Sequence, residues 1–264
     1  MLWCRCRMDG QETFALVEEG IVRKIAGSPF SQWTRTGESR RLEDVELLVP
    51  VVPGTFYAIG SNYASHVEKR GAVRGTGAKY YDVPRVGYRA NSALVPSGAD
   101  IIKPLGSGED FQYEGELVAV IGKTARRVTP EQARDCIFGW TIGNDVTERA
   151  WQRDDPTNLR GKNSDTFKPM GPWIATGVDP SDMVTTVILN GKKLHEFNTG
   201  DMLFDAGTVI SAISQTNTLS PGDVVWLGTD ELPVNMKPGD QIDITISGIG
   251  TLSNRVVAEE DMRA

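Results

Sequence analysis

The sequence predicts an α+β fold that is mainly β, with a few helices at its periphery. Apolar or alternating runs of strand length recur along the chain, such as residues 117–121 and 242–247. Turn-forming residues separate these runs, and the pair Asn190-Gly191 after Val184–Leu189 is typical of a hairpin. Only two segments carry helix signals, and 264 residues suffice for one large domain with a sizeable core.

The N-terminal part carries its own strand signals. Residues 13–17 and 21–25 are largely apolar runs joined by the turn Glu18-Glu19-Gly20. A polar stretch over residues 28–46 follows without periodic apolar positions, and residues 51–54 connect it to the main body. We therefore expect a small β-rich N-terminal domain over residues 1–50 and a main domain over residues 51–264.

The main body combines buried and half-buried strands. Residues 117–121 are continuously apolar, as in a strand buried on both faces. Ile242, Ile244 and Ile246 alternate with polar residues, so one face of that strand meets water. Pro-Gly-Asp turns at residues 221–223 and 238–240 each precede a strand, and a strand-like run that starts at Gly139 ends in Asn144-Asp145.

Two helices are predicted from capping and periodicity. Thr129-Pro130-Glu131-Gln132 is a capping box with proline at the first helical position, and Gly139 is expected to end that helix. The second helix runs to about Gln215, because its apolar residues recur at helical spacing: Ala206, Val209, Ile210 and Ile213.

The composition excludes several classes of protein. Hydrophobic residues at 39% and charged residues at 24% exclude a disordered chain, and a net charge of −7 argues against nucleic-acid or anionic-membrane partners. No apolar run approaches the roughly 20 residues of a membrane span, and the first residues lack the apolar segment of a signal peptide. We expect a cytoplasmic protein, in which Cys4 and Cys6 match neither zinc nor redox spacing.

Three carboxylates are candidate metal ligands. Glu114 and Glu116 lie two apart in a strand and project from one face, beside an apolar run where an unpaired carboxylate is unfavourable. Asp145 is a third candidate. Oxygen-only ligands suit a hard ion such as Mg²⁺, Mn²⁺ or Ca²⁺. The alternatives are a solvated strand edge for the glutamates and a helix N-cap for Asp145.

An ordered series of segments resembles the fumarylacetoacetate hydrolase family over nearly the whole chain. The matching segments are Ile59-Gly60-Ser61-Asn62-Tyr63-Ala64-Ser65-His66, Tyr113-Glu114-Gly115-Glu116-Leu117, Asn144-Asp145-Val146-Thr147-Glu148-Arg149 with Gln152, Gly161-Lys162 through Asp165-Thr166-Phe167, Gly171-Pro172, Asn190-Gly191, Asn198-Thr199 and Thr218-Leu219-Ser220-Pro221-Gly222-Asp223. The resemblance implies a mixed β-sandwich or roll like this family's C-terminal domain over residues 51–264, which usually pairs into a homodimer.

The resemblance also implies site residues. It implies a Mg²⁺ or Mn²⁺ ion, with Ca²⁺ as a third option, on Glu114, Glu116 and Asp145. It places Lys162 beside the metal and makes His66 the catalytic histidine of a mobile lid. The implied substrate-binding residues are Arg89, Gln152 and Thr229.

The implied reaction acts on a small anionic 2-oxo or 1,3-diketo acid. The first hypothesis is hydrolytic C–C cleavage of an acylpyruvate-like acid through an enolate held by the metal, with His66 as the base and Lys162 as a fixed positive charge. The second is oxaloacetate-type decarboxylation or dienol–keto isomerisation at the same site. The third is a catalytically silent member that only binds metal or ligand.

The sequence departs from the family pattern where substrates are selected. The family's glutamate three residues after the histidine is Lys69 here, so either Glu68 orients His66 or the His–Glu dyad is absent. His195 stands where glutamine is more usual, and we interpret it as structural or substrate-adjacent. Arg89 replaces a lysine, and the G-T-P-x-G-V-G turn becomes Gly228-Thr229-Asp230-Glu231-Leu232-Pro233.

The segment after His66 is basic. Residues 66–90, which we call the lid, carry six basic side chains against two acidic ones. Three glycines, at positions 71, 75 and 77, suit either a lid that orders over substrate or a solvated loop. A basic lid would attract doubly anionic substrates.

Overall fold

The computed structural model describes residues 1–230 and 232–262 and is dominated by β-strands. The strands are β1 (Leu2–Met8), β2 (Gln11–Glu18), β3 (Ile21–Gly27), β4 (Trp33–Arg41), β5 (Glu46–Leu48), β6 (Phe56–Ile59), β7 (Val86–Tyr88), β8 (Leu94–Val95), β9 (Asp100–Lys103), β10 (Phe111–Gln112), β11 (Gly115–Ile121), β12 (Ile137–Asn144), β13 (Thr147–Glu148), β14 (Lys168–Ala175), β15 (Val184–Leu189), β16 (Lys192–Asn198), β17 (Val224–Trp226), β18 (Gln241–Ile246) and β19 (Gly250–Ala258).

The helices are short and lie between the strands. They are α1 (Ala64–Arg74), α2 (Pro130–Arg134), α3 (Arg149–Asp154), α4 (Leu159–Asn163) and α5 (Ala206–Ser214), and 3-10 turns cover Leu42–Asp44, Asn91–Ala93, Pro180–Asp182 and Glu259–Met262. The expected mainly β fold with peripheral helices is therefore confirmed. Within the described residues, each helix is too short or too polar to cross a bilayer.

Two sheets form the body of the molecule. The larger follows the order β4-β3-β2-β1-β14-β12-β11-β17-β6-β7, with β5 added to β1 and β8 to β14. The smaller follows the order β16-β15-β18-β19-β9, and β10 pairs with β13. Because β1 pairs with β14, the N-terminal strands extend the main sheet. The division at residue 50 stays a prediction.

Both faces of the larger sheet are covered near its centre. Leu117 of β11 packs with Ile244 of β18 in the core between the two sheets. Its neighbour Val118 points the other way and packs with Trp3 in a second cluster. All seven residues of β11 are buried, as the continuously apolar run predicts.

The turn signals predicted their strands correctly. β2 and β3 form the expected N-terminal hairpin, and β15 and β16 form the one around Asn190-Gly191, whose φ angles of 52° and 75° suit a tight turn. The two Pro-Gly-Asp turns lead into β17 and β18. Ile242, Ile244 and Ile246 are all buried, in the predicted alternation.

The first predicted helix is shorter than expected. Its capping box is present at Thr129, but α2 ends at Arg134, and Gly139 lies inside β12. The expectation that Gly139 ends the helix is wrong, because β12 pairs with both β11 and β14. A side-chain carbon at Gly139 would lie 2.5 Å from the Ala175 carbonyl oxygen of β14, so the glycine permits this close pairing. The second helix, α5, is confirmed, with Gln215 as its C-cap.

The polar stretch over residues 28–46 contains an edge strand that periodicity did not show. β4 pairs with β3 on one side only. Its exposed charges pair across strands, as Arg35 does with Glu18 and Glu38 with Lys24. A strand with this composition is stabilised by cross-strand pairs rather than by a buried face, so it lacks the apolar alternation that identifies strands.

Candidate active site

Three carboxylates meet at one end of the β11–β12 pair. These strands are antiparallel, with Gly115 opposite Asn144, and the Asp145 amide donates to the Glu114 carbonyl over 2.8 Å. This pairing brings Glu114, Glu116 and Asp145 together, so that one oxygen of each lies within 4.8 Å of the others. All three are nearly fully buried, which excludes a solvated strand edge. Glu148 rather than Asp145 caps the following helix α3.

Asp145 is surrounded by cations. Arg89 holds both of its oxygens, over 3.1 and 2.9 Å. Lys162 Nζ lies 2.5 Å from Oδ2, and Lys168 Nζ lies 2.7 Å from Oδ1. Although burial opposes ionisation, these positive charges hold the pKa of Asp145 well below its ordinary value. Asp145 is therefore a fixed negative charge.

Glu114 shares one of those cations. Lys162 Nζ lies 2.5 Å from Glu114 Oε2, and Arg149 donates to Oε1 over 2.6 Å. Burial would raise the pKa of Glu114, but Arg149 and Lys162 lower it below the ordinary value. Lys162 thus links two of the three carboxylates through a single ammonium group.

Glu116 is the carboxylate without a cation. It is 2% exposed and accepts a hydrogen bond from the Gly228 amide over 2.9 Å. Among the residues that the structure describes, no basic side chain forms an ion pair with it. Burial, together with the negative charges of Asp145 and Glu114, raises its pKa to about 8. A buried, uncompensated carboxylate beside two others is the environment that a divalent cation with oxygen ligands fits.

A cavity of about 490 Å³ opens onto the triad. Eight of the nine site residues predicted from the sequence line it, and only Glu68 does not. They are His66, Arg89, Glu114, Glu116, Asp145, Gln152, Lys162 and Thr229. The structure therefore brings together residues from α1, the β11–β12 pair, α3, α4 and the segment after β17.

Gly161 lets the helix that carries Lys162 approach the site. A side-chain carbon at Gly161 would lie 2.8 Å from the Gln152 Cα of α3. Any larger residue would push α3 and α4 apart. The glycine therefore positions Lys162 and Gln152 side by side at the cavity.

The lid places His66 but not Glu68 at the cavity. His66 is 4% exposed in the first turn of α1. Glu68 lies on the outer side of the helix and accepts a hydrogen bond from the Tyr80 hydroxyl over 2.8 Å. Lys69, at the position of the family's glutamate, is exposed. The role of Glu68 in orienting His66 stays a prediction.

Part of the basic lid faces the cavity. Arg70, Arg85 and Arg89 all line it. Arg70 donates to the Gln152 side chain over 3.2 Å, and Arg85 donates to the Tyr81 hydroxyl over 2.7 Å. The side chain of Arg74 and residue Glu231, both included in the sequence expectations, lie outside the described residues.

Sequence reasoning missed two further basic residues. Arg149 donates to Glu114, to Gln112 over 2.8 Å and to Gln152 over 3.0 Å. The sequence feature that could have identified Arg149 is its position in the segment that follows Asp145. Lys168 is wholly buried at the start of β14 and donates to two carbonyls, of Val146 and Phe167, besides pairing with Asp145. No sequence pattern marks it, because a lysine before an apolar run is ordinarily exposed.

Comparison with known proteins gives concordant matches. The family model described as Fumarylacetoacetate (FAA) hydrolase C-terminal matches residues 55–257, and the model described as Rv2993c-like, N-terminal matches residues 1–50. Protein Rv2993c of Mycobacterium tuberculosis is 38% identical over 242 residues, which cover 90% of this chain and 89% of that protein.

Solved structures share the whole fold. A 5-carboxymethyl-2-hydroxymuconate delta-isomerase from Mycobacterium smegmatis superposes with a TM-score of 0.89 at 35% identity, covering 98% of this chain and 100% of that one. Maleylpyruvate hydrolase from Sphingobium sp. SYK-6, in complex with manganese (II) ion and pyruvate, superposes with a TM-score of 0.80 at 25% identity, covering 98% and 99% of the two chains.

Proposed function

The chain belongs to the fumarylacetoacetate hydrolase family, and on that premise we propose that it is a divalent-metal-dependent hydrolase of a small, doubly anionic acylpyruvate-like or other 1,3-diketo acid. The observation that carries this proposal is the shared cavity. One space of about 490 Å³ is lined by the carboxylate triad, by His66 and by several cationic side chains. The matched hydrolase with manganese and pyruvate supports the same chemistry.

The cationic side chains supply the binding charge. Arg70, Arg85 and Arg89 line the cavity from the lid. An arginine pairs well with a carboxylate through two parallel hydrogen bonds. Because Arg89 is already bonded to Asp145, two carboxylates of one small acid can be held at Arg70 and Arg85, which selects a dianion over a monoanion.

The triad and Lys162 would place positive charge, from a bound cation and from the ammonium group, beside the carbonyl oxygen of the substrate. Glu114, Glu116 and Asp145 would hold Mg²⁺ or Mn²⁺, with Ca²⁺ as a third option, because all their donor atoms are oxygens. When bound, such an ion supplies a Lewis acid that stabilises negative charge on a carbonyl oxygen. Lys162, already fixed between two carboxylates, adds a positive charge at the same place.

His66 supplies the base. Its side chain is buried at the cavity, and an imidazole accepts a proton near neutral pH. His66 takes a proton from water, and the resulting hydroxide oxygen bonds to the acyl carbonyl carbon. The C–C bond then breaks, its electron pair leaves as an enolate, and a proton returns to the enolate carbon. The products are a carboxylic acid and a 2-oxo acid.

A second reaction class uses the same groups without hydrolytic water. The observation that favours it is the position of Glu68, whose carboxylate bonds to Tyr80 instead of lining the cavity with His66. Decarboxylation of an oxaloacetate-type acid and dienol–keto isomerisation both need enolate stabilisation but no water activation. The matched isomerase structure supports this alternative.

A side-by-side assay tests the proposal. Fumarylpyruvate, acetylpyruvate and oxaloacetate are supplied separately with Mg²⁺ and with Mn²⁺, and the products are identified. We expect cleavage of at least one diketo acid and a rate lower by about 10²–10⁴-fold in His66→Ala. Turnover of oxaloacetate alone would transfer the assignment to the second class. Activity unchanged in His66→Ala would reject the mechanism, and a wild type that turns over none of the three acids would favour a silent binding protein.

Two further expectations belong to the proposal. A homodimer is proposed from the family resemblance, and sedimentation at micromolar concentration tests it. A cytoplasmic location also stays a prediction, and fractionation of cells tests it.

A further inference from the structure

The start of α1 is fixed by a contact with the segment after β17. The Ser65 hydroxyl lies within hydrogen-bond distance of both the Asp230 carbonyl oxygen, at 3.0 Å, and the Asp230 carboxylate. Ser65 directly precedes His66 in the first turn of the helix. Asp230 therefore contacts the residue that directly precedes His66.

A second set of contacts, made by Tyr63, fixes the start of α1. The Tyr63 side chain, at the N-cap of α1, donates from its hydroxyl to the Thr199 carbonyl over 2.8 Å. Its ring packs edge-on against Phe197, with centroids 5.4 Å apart. Beyond this turn the helix is largely exposed, and Val73 is 76% exposed. The first turn is thus the anchored part of α1.

Charged groups surround the Ser65–Asp230 contact. Burial raises the pKa of Asp230 above its ordinary value, although Lys69, one turn after Ser65, and His195 of β16 favour the ionised form. His195 Nε2 is buried and has no hydrogen-bond partner among the described residues. Lys69, His195 and Asp230 are all positions at which the chain departs from the family pattern, and they lie together here.

Asp230 is also joined to the site through its own chain neighbours. The Gly228 amide donates to Glu116, and Thr229 lines the cavity. Three successive residues therefore contact a carboxylate of the triad, the cavity and the helix that carries His66. A shift of this segment would move all three together.

We propose that Asp230 is a positioning residue that holds the first turn of α1, through Ser65, so that His66 is fixed over the cavity. Lys69 and His195 lie beside the Asp230 carboxylate. Asp230 touches neither substrate nor metal in this account. The kinetic part of the proposal rests on the proposed function, whereas the structural part does not.

Amide hydrogen exchange of residues 64–74 in the metal-free protein tests the structural part. In Asp230→Ala and in Ser65→Ala, loss of a hydrogen bond is expected to speed exchange of the Val67 amide, which donates to the Tyr63 carbonyl over 3.1 Å, by about tenfold. Asp230→Asn keeps an acceptor for the Ser65 hydroxyl and is expected to restore most of the protection. Asp82→Ala, which removes an exposed lid acid, is the matched control and should match the wild type. Unchanged exchange in both alanine variants, or failure of Asp230→Asn to restore protection, would overturn the proposal.

Kinetics with the acid that the wild type turns over test the consequence. Asp230→Ala is expected to lower kcat by about tenfold with little change in KM, and to have no further effect in a His66→Ala background. An equal loss in that background would overturn the claim that Asp230 acts through His66. If the wild type turns over none of the acids, the proposed function is wrong. The hydrogen-exchange result still tests whether the Ser65–Asp230 contact holds the first turn of α1.

Discussion

Lys168 and Asp145 form a buried ion pair behind the carboxylate triad, with Nζ 2.7 Å from Oδ1 and Lys168 fully excluded from solvent. Burial lowers the pKa of Lys168 to about 7, although Asp145 favours its charged form. Two backbone carbonyls accept its remaining hydrogen bonds. Asp145 is therefore held from the side of the core as well as from the cavity.

Replacing Lys168 with methionine should destabilise the protein. The change keeps most of the side-chain volume but removes a buried charge and leaves two carbonyls without their donor. Because Arg89 and Lys162 still neutralise Asp145, we expect a loss of about 2 kcal/mol in the free energy of unfolding, less than for an isolated buried pair. Urea denaturation at pH 7 with a chelator measures it, and the exposed Lys192→Met is the control. A change under about 0.5 kcal/mol would refute the structural role.

The stability of the metal-free protein should depend on Glu116 through pH. The fold raises the pKa of Glu116 from 4.5 to about 8. Its contribution to the free energy of unfolding is therefore complete below pH 4.5 and is lost as pH rises through about 8. Glu116→Gln removes this loss. We expect the Tm of Glu116→Gln to exceed that of the wild type by more at pH 9 than at pH 6. The increase should be a few degrees, which corresponds to about 1–2 kcal/mol. Thermal unfolding with a chelator measures it.

The control for this pH dependence is the exposed Glu43→Gln. It should shift Tm equally at both pH values. An advantage of Glu116→Gln that is the same at pH 6 and pH 9 would show that Glu116 is already ionised at pH 6, and the argument for an uncompensated carboxylate would fail.

Asn62 should be essential for the geometry around Gly228. It is fully buried, donates to the carbonyls of Phe204 and Leu227 over 3.0 and 2.9 Å, and accepts from the Phe204 amide over 2.9 Å. Asn62→Ala removes the partner of one buried backbone group, on Leu227, and of two part-buried ones, on Phe204, which we expect to cost about 3 kcal/mol in the free energy of unfolding. Urea denaturation measures it, with the exposed Asn217→Ala as control. A cost below about 1 kcal/mol would contradict the assignment.

Arg149 should be irreplaceable by lysine. Its guanidinium reaches Glu114, Gln112 and Gln152 at once, whereas one ammonium cannot keep all three contacts. We expect Arg149→Lys to lower kcat/KM by about tenfold or more and to weaken Mn²⁺ binding. Steady-state kinetics and a Mn²⁺ titration measure these effects. Arg153→Lys, on the exposed side of the same helix, is the control, and equal behaviour of the two variants would reject the role of Arg149.

The sequence predicted the strands that carry strong local signals. The hairpin at Asn190-Gly191 and the buried run of β11 follow from turn chemistry and hydrophobicity, which act over a few residues. The end of α2 and the edge strand β4 depend on which strands pair, which no local pattern contains. Gly139 illustrates the difference, because its role is set by the Ala175 carbonyl oxygen, 36 positions away in the chain.

The site divides in the same way. The motifs predicted the three carboxylates and Lys162. Four separated segments supply the basic groups that surround the carboxylates, and only the fold shows that these groups meet: Arg89, Arg149, Lys162 and Lys168. The sequence shows that the lid is basic, whereas only the fold shows that Arg70, Arg85 and Arg89 face the cavity and that Glu68 does not.

The most direct test is a Mn²⁺ titration followed by electron paramagnetic resonance of wild type, Glu114→Gln, Asp145→Asn and the half-buried control Asp100→Asn, which lies outside the cavity. Turnover is measured on the same samples. We predict one bound ion per chain in the wild type and the control, and the joint loss of the ion and of activity in the two triad variants. Stoichiometric Mn²⁺ binding that survives in both triad variants would contradict the proposed metal site.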